Sequence, residues 1–195
     1  MTLYRGPEAE KAMIAGMLVL YEYRDLVMDV MAAFLGYMSW RQYKDFNSQE
    51  AHPWTILQLK YEVLYYIWRT GIDLKKKDKL LHHLMCLGYL YFGWPFKTAL
   101  STAFYFASTS NCFLALMMKH PNKVTKISFA VSFVISRIII GTWVMKNIAK
   151  LPVKGSETLI IPMTGTVYAL QWVWLRKIAL KASKALYSNG GGVTE

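Results

Sequence analysis

The residues of this 195-residue chain best suited to chemistry are two adjacent histidines, His82 and His83, that follow closely on Asp78. On a helix, positions i and i+4 share a face, so the Asp78 carboxylate is placed to accept an imidazole N–H from His82 and fix its tautomer. His83 then points about 100° away. A neutral imidazole can act as a general base or as an acyl-accepting nucleophile. The plainer alternative is that Asp78 caps a helix while both histidines sit in a wet interface.

A second set is acidic. Glu22, Asp25 and Asp29 recur at i, i+3 and i+7 and form one stripe on a helix, with Arg24 projecting roughly opposite. Charges inside an apolar run look for partners, and Lys60 and Arg137 are the cations expected to supply them in structural ion pairs; a proton or ion pathway is the other use of such a stripe. Ser128, Ser132 and Ser136 recur every four residues, as small residues do where helices pack closely in lipid, and Ser101, Ser108 and Cys112 share another face, with Thr109 and Asn111 beside it. His52 and His120 lie beside prolines and complete no metal-ligand spacing, and no phosphate loop, nucleophile elbow or kinase signature occurs. No metal and no cofactor is therefore expected.

The elements that must hold these residues follow from composition. Hydrophobic side chains make up 54% of the chain and charged ones only 18%, too apolar for a small soluble domain. The charges are bunched between long apolar runs, as in multispanning membrane proteins. The net charge of +11 does not indicate nucleic acid, because the lysines gather at the ends of those runs, where an anionic bilayer surface attracts them. Cys86 and Cys112 both lie within apolar runs and read as packing residues. Thr98 to Met118 and Thr158 to Leu175 are the clearest spans. Ile127 to Met145 is interrupted only by Arg137, and Leu80 to Phe96 only by His82 and His83. Trp54 to Trp68 is a shorter candidate carrying Lys60 and Glu62. Ala12 to Trp40 is either one tilted helix with its polar face sealed inside a bundle, or two pieces, Ala12 to Tyr21 and Val30 to Trp40, joined near the interface.

Counted as one span, that last segment gives an all-α, polytopic integral membrane bundle of about six transmembrane helices, with five to seven as the range. Fourteen Lys and Arg then fall on one side and six on the other, which predicts cytosolic termini. No cleavable signal peptide is expected, since Arg5, Glu8 and Glu10 precede the first apolar run. The organisation expected is a cytosolic N-terminus over 1–11, a single transmembrane domain over 12–183, and a flexible cytosolic tail over 184–195 ending in glycines.

Five segments, in order, resemble the TLC (TRAM, Lag1, CLN8 homology) domain family. They are Leu59 to Tyr66, Asp78 to His83, Ser108 to Asn111, Arg137 within its apolar helix, and Leu170 to Trp174 before a basic run. The resemblance covers roughly Trp54 to Ser183, and its most specific element is the aspartate four residues before paired histidines. It implies a helical barrel of the endoplasmic reticulum that admits an acyl chain, with membrane lipids as partners and a lipid site made by His82, His83, Arg137, Ser108 and Asn111. Ceramide synthases of this family carry a further His-Asp downstream, which nothing between Leu84 and Arg137 supplies. The expectation is thus a protein of the non-synthase branch that binds or handles acyl lipids and influences membrane lipid composition. The alternatives are an N-acyltransferase that takes acyl-CoA as substrate, with His82, His83 and Asp78 catalytic, and an ion channel built on the acidic stripe.

Overall fold

The computed structural model describes residues 7–42, 51–75 and 77–189, and among them every regular element is helical. Helix α1 (Pro7–Glu22) is followed by α2 (Arg24–Arg41), α3 (Pro53–Ile72), α4 (Lys77–Phe92) and α5 (Lys97–Lys119). Helix α6 (Lys123–Phe133), a π-helical stretch Val134–Ile139 and α7 (Ile140–Ile148) make one continuous rod, and α8 (Ile160–Asn189) closes the chain. Local sequence accounts for the breaks. Pro53 opens α3 and the His52 ring accepts from Trp54 N–H. The Asn122 side chain accepts from Thr125 N–H while the Thr125 hydroxyl accepts from Asn122 N–H, a reciprocal cap that starts α6.

Side-chain pairs show that the rods alternate in direction. The start of α2 meets the ends of α3 and α5 through Asp25 with Arg69 and, just before it, Glu22 with Lys119. The far end of α2 meets the starts of α3 and α5, where Ser39 Oγ lies 2.7 Å from Thr55 Oγ1 and 2.6 Å from Ser101 Oγ. Ser101 also donates to Gln58 Oε1, and Gln58 Nε2 donates to Ser101 O. Arg69, Lys79, Lys119 and Lys177 consequently gather at one end of the bundle. That is the end whose connections carry the larger share of Lys and Arg.

Helices α2 and α5 form the most extensive contact. Gly36 permits it, since a Cβ there would stand 2.7 Å from Tyr105 Cβ and 3.0 Å from Gln58 Nε2. The interior mixes an apolar core, which includes Leu59, Leu90, Phe96 and Leu100, with polar side chains, while many apolar side chains face outward. Gln58, Glu62, Ser101, Ser110 and Arg137 are buried, while Leu64 (68%), Val124 (71%) and Tyr91 (77%) stand exposed on the outer faces.

Among the described residues two stretches are long and apolar enough to cross a membrane, Lys123–Ile148 and Gly155–Lys181. Thr98 to Met118, expected to be among the clearest spans, does not join them. It forms α5, the central helix, and carries buried Ser101, Thr102, Ser108 and Ser110 because its neighbours are helices rather than open surroundings. The N-terminal ambiguity resolves into two helices, with the break at Tyr23 inside the expected gap between Tyr21 and Val30, and with the second helix starting at Arg24 rather than Val30. Asp25 and Asp29 therefore belong to the first turns of α2. At the other terminus α8 continues to Asn189, so 184–189 are helical instead of forming a tail, and 190–195 lie outside the described residues.

Candidate functional site

The basic end of the bundle opens into a cavity of about 550 Å³ bounded by α2, α3, α4, α5, α6 and α8. Its wall mixes carboxylates, cations and aromatic rings. Deeper in the bundle lies a second chamber of about 90 Å³ between α4, α5, α7 and α8, bordered mainly by apolar side chains such as Ala103, Phe104, Val144 and Val167. Three residues belong to both chambers: Tyr66, His82 and Arg137. They form the boundary between a vestibule that carries charged groups on a largely apolar wall and a smaller, more apolar pocket.

Helix α4 carries both histidines to this boundary. The His82 ring packs edge-on against Trp174 of α8, with centroids 4.9 Å apart and planes at 73°, and lies 6.3 Å from the Tyr66 ring. One turn further along α4 the Cys86 thiol is 3.8 Å from His82 Nε2. His83 borders the vestibule alone, with its ring 5.8 Å from Tyr66 and 5.7 Å from His82. It is 6% exposed, and its Nδ1 has no hydrogen-bond partner among the described residues. Asp78 begins α4 as expected, but its side chain lies outside the described residues.

Arg137 sits in the π-helical turn, a local widening that recurs at functional positions. Its guanidinium is buried and bound only by neutral acceptors. Nε donates to Ser110 Oγ at 2.7 Å, Nη1 to Gln171 Oε1 at 3.2 Å, and Nη2 to Ala107 O at 2.9 Å and Asn111 Oδ1 at 2.6 Å. One side chain thus ties the π turn to both α5 and α8. Asn111 borders the vestibule as the resemblance implies. Ser108 does not: it is buried between α5 and α3 and donates to Glu62 Oε1 at 3.1 Å.

The acidic stripe is engaged differently from the sequence expectation. Asp25 takes Arg69 at 2.9 Å, Glu22 takes Lys119 at 2.8 Å, and Asp29 accepts from the Tyr65 hydroxyl at 3.1 Å. Lys60 stands exposed on the outer side of α3 and makes no ion pair among the described residues, so Arg69 and Lys119 replace Lys60 and Arg137 as the stripe's cations. The reason is helical phase. Thr55, Gln58, Glu62, Tyr65 and Arg69 share the inward face of α3, and Lys60 falls off it. Glu22 lies at the junction of α1 and α2, outside the long rods. There the hydrogen bond from the Lys119 ammonium, reinforced by its charge, holds the Glu22 carboxyl below its ordinary value.

Compared with known protein families, curated proteins and solved structures, the chain matches none. The case for function therefore rests on this geometry. Its residues beyond those expected are Tyr66, Glu62, Arg69, Lys79, Lys119, Trp174 and Lys177. The i, i+3, i+7 repeat of polar residues along α3 was the signal that could have found Glu62 and Arg69.

Proposed function

We propose that this chain is a six-span membrane protein of the TLC kind that holds an acyl lipid, with its head and most of its chain in the larger vestibule and only a short end of the chain in the small apolar pocket. The observation that carries the reading is the meeting, at Tyr66, His82 and Arg137, of a chamber that combines charged groups with an apolar wall and a smaller one with few polar groups. An amphipathic ligand suits such a junction, since its head needs polar partners and its chain an apolar wall. The bundle's apolar outer faces and buried polar side chains support integration in a bilayer, where α2, α3, α4, α5, the α6–α7 rod and α8 would be the spans. The gathering of lysines at the vestibule end supports a cytosolic orientation for that end and for both termini, with the endoplasmic reticulum as the membrane that the resemblance implies.

The test is lipid analysis of protein purified in mild detergent. Ala103 and Ala107 both border the apolar pocket, and an Ala103→Leu, Ala107→Leu variant fills it. Wild-type protein is expected to carry acyl lipid through purification and the variant to lose it. A folded variant with an unchanged lipid complement would refute the tail site.

A second reading has one observation in its favour. His82 and His83 stand where a thioester would lie if an acyl-CoA placed its tail in the pocket. In that N-acyltransferase reading an amine nitrogen attacks the thioester carbonyl, a histidine takes the ammonium proton, and the thiolate leaves and is reprotonated. Long-chain acyl-CoA with sphinganine as acceptor, assayed beside a His82→Ala, His83→Ala variant, decides it by turnover that depends on the pair. Ion conduction along the stripe has less to recommend it, because Glu22 and Asp25 are ion-paired and Asp29 holds a tyrosine hydroxyl.

A further inference from the structure

The vestibule's charges do not balance. Its carboxylates are Glu22, Asp25 and Asp29, and its cations are Arg69, Lys79, Lys119, Arg137 and Lys177. Glu22 pairs with Lys119, Asp25 with Arg69 and, at 3.9 Å, Arg24, Arg69 also meets Asp73 at 3.5 Å, Asp29 accepts from the Tyr65 hydroxyl, and Arg137 is held by neutral oxygens. Lys79 and Lys177 remain, with no ion pair among the described residues. Both border the cavity from neighbouring helices, α4 and α8. Helical phase brings them toward the same place: Lys79 is one turn before His83, and Lys177 is nearly one turn after Trp174, which packs on His82. His83, one turn from Lys79 on α4 and bordering the same cavity, has a buried Nδ1 without a partner among the described residues. A buried imidazole nitrogen without a hydrogen bond is costly unless a ligand completes it.

We infer that the vestibule binds a phosphate group carried on an acyl chain, with Lys79 and Lys177 on its oxygens and His83 Nδ1–H donating to it. Two ammonium groups and a neutral donor suit a compact tetrahedral anion, and hydrogen bonds from charged donors are about twice as strong as neutral ones. The inference rests on the proposed lipid site and specifies the head that site accepts. The phosphate can come from an anionic glycerolipid, whose head joins its acyl chains directly, or from the nucleotide portion of an acyl-CoA, which reaches His83 only with its pantetheine arm across the boundary and its thioester away from the histidines.

Native mass spectrometry of the full chain, titrated with a phosphatidate, the diacylglycerol with the same chains, a long-chain acyl-CoA and inorganic phosphate, tests it. Both phosphate-bearing lipids are expected to bind at least about tenfold more tightly than the diacylglycerol. The tighter of the two identifies the source. A Lys79→Gln, Lys177→Gln variant should lose that preference while still binding diacylglycerol. A Lys75→Gln, Lys181→Gln variant, which removes the same charge from exposed positions outside the cavity, should keep it. Equal loss in both variants would show general surface attraction and overturn the site. Equal binding of phosphatidate and diacylglycerol by wild type overturns the phosphate inference alone, whereas failure of every lipid to bind overturns the lipid site as well. Inorganic phosphate competing as well as phosphatidate would overturn the requirement for an attached chain.

Discussion

Arg137 offers a sharp test of how the bundle is held, because two substitutions should act in an order opposite to their apparent conservatism. The guanidinium makes four hydrogen bonds, to Ser110, Gln171, Ala107 and Asn111, and none to a carboxylate. In Arg137→Met the charge disappears together with its desolvation cost, which amounts to several kcal/mol for a buried ion. Ser110 still donates to Ala107 O, and Gln171 Nε2 keeps Val167 O, so the acceptors stranded are chiefly Asn111 Oδ1 and Gln171 Oε1. Each costs about 1–3 kcal/mol, and the relief of desolvation offsets much of the sum. In Arg137→Lys the charge stays, but one ammonium nitrogen cannot reach acceptors on both α5 and α8 as the planar fork does. A buried charge stripped of partners costs about 3–5 kcal/mol, on the order of 10 °C in Tm for a chain of this size, and Arg137→Met should show about half that shift or less. Cys86 is buried and Cys112 half-buried, so a thiol-reactive dye reports unfolding on heating in detergent. A Lys variant more stable than the Met variant would refute the reasoning, since it would mean that the positive charge, and not the fork's geometry, is what the site requires.

Two further outcomes follow from the α2–α5 contact and the vestibule's rim. Gly36→Ala places a methyl against Tyr105 Cβ, which cannot swing aside as a side-chain tip could; overpacking of this kind costs about 1–3 kcal/mol, read by the same melt, and an unchanged Tm would show that the helices separate freely. The Glu22–Lys119 tie contributes while the carboxylate is ionised, and because its folded-state value is depressed, that contribution is present above the ordinary glutamate range and lost as pH falls through the lower, folded value. The hydrogen-exchange protection factor at the α1–α2 junction, taken relative to the intrinsic exchange rate at each pH, should accordingly fall on acidification in wild type and show no such step in Glu22→Gln; identical pH profiles would remove the tie from the account.

The positions of the rods were legible in the sequence because apolar runs and their charged ends are local properties: the segments expected over Trp54 to Trp68 and Ile127 to Met145 lie within helical stretches, whereas the one expected over Leu80 to Phe96 is helical only to Phe92, with a turn at Gly93 before the short 3-10 piece Trp94–Phe96. The direction of approach to the site was also legible, since a histidine in an apolar run must find either a partner or a cavity. Partnership was not. Asp25 chose Arg69, forty-four residues away, over Lys60, and nothing in the stripe itself distinguishes them; only the phase of α3, read across the whole helix from Thr55 to Arg69, puts one cation inside and the other out. The π turn was invisible for a different reason. Val134 to Ile139 is as apolar and as branched as the helix around it, so its extra residue per turn leaves no mark on composition, yet it sits where Arg137 bonds to α5 and α8 together. Ser108 shows the complementary failure: it shares its helix with Asn111, yet three positions turn it from the vestibule to Glu62. A polar residue inside an apolar run therefore announces that it has a partner, and the bundle's geometry decides whether that partner is another helix or a ligand. His83, buried and with Nδ1 unmatched, is the case where no described helix supplies the partner.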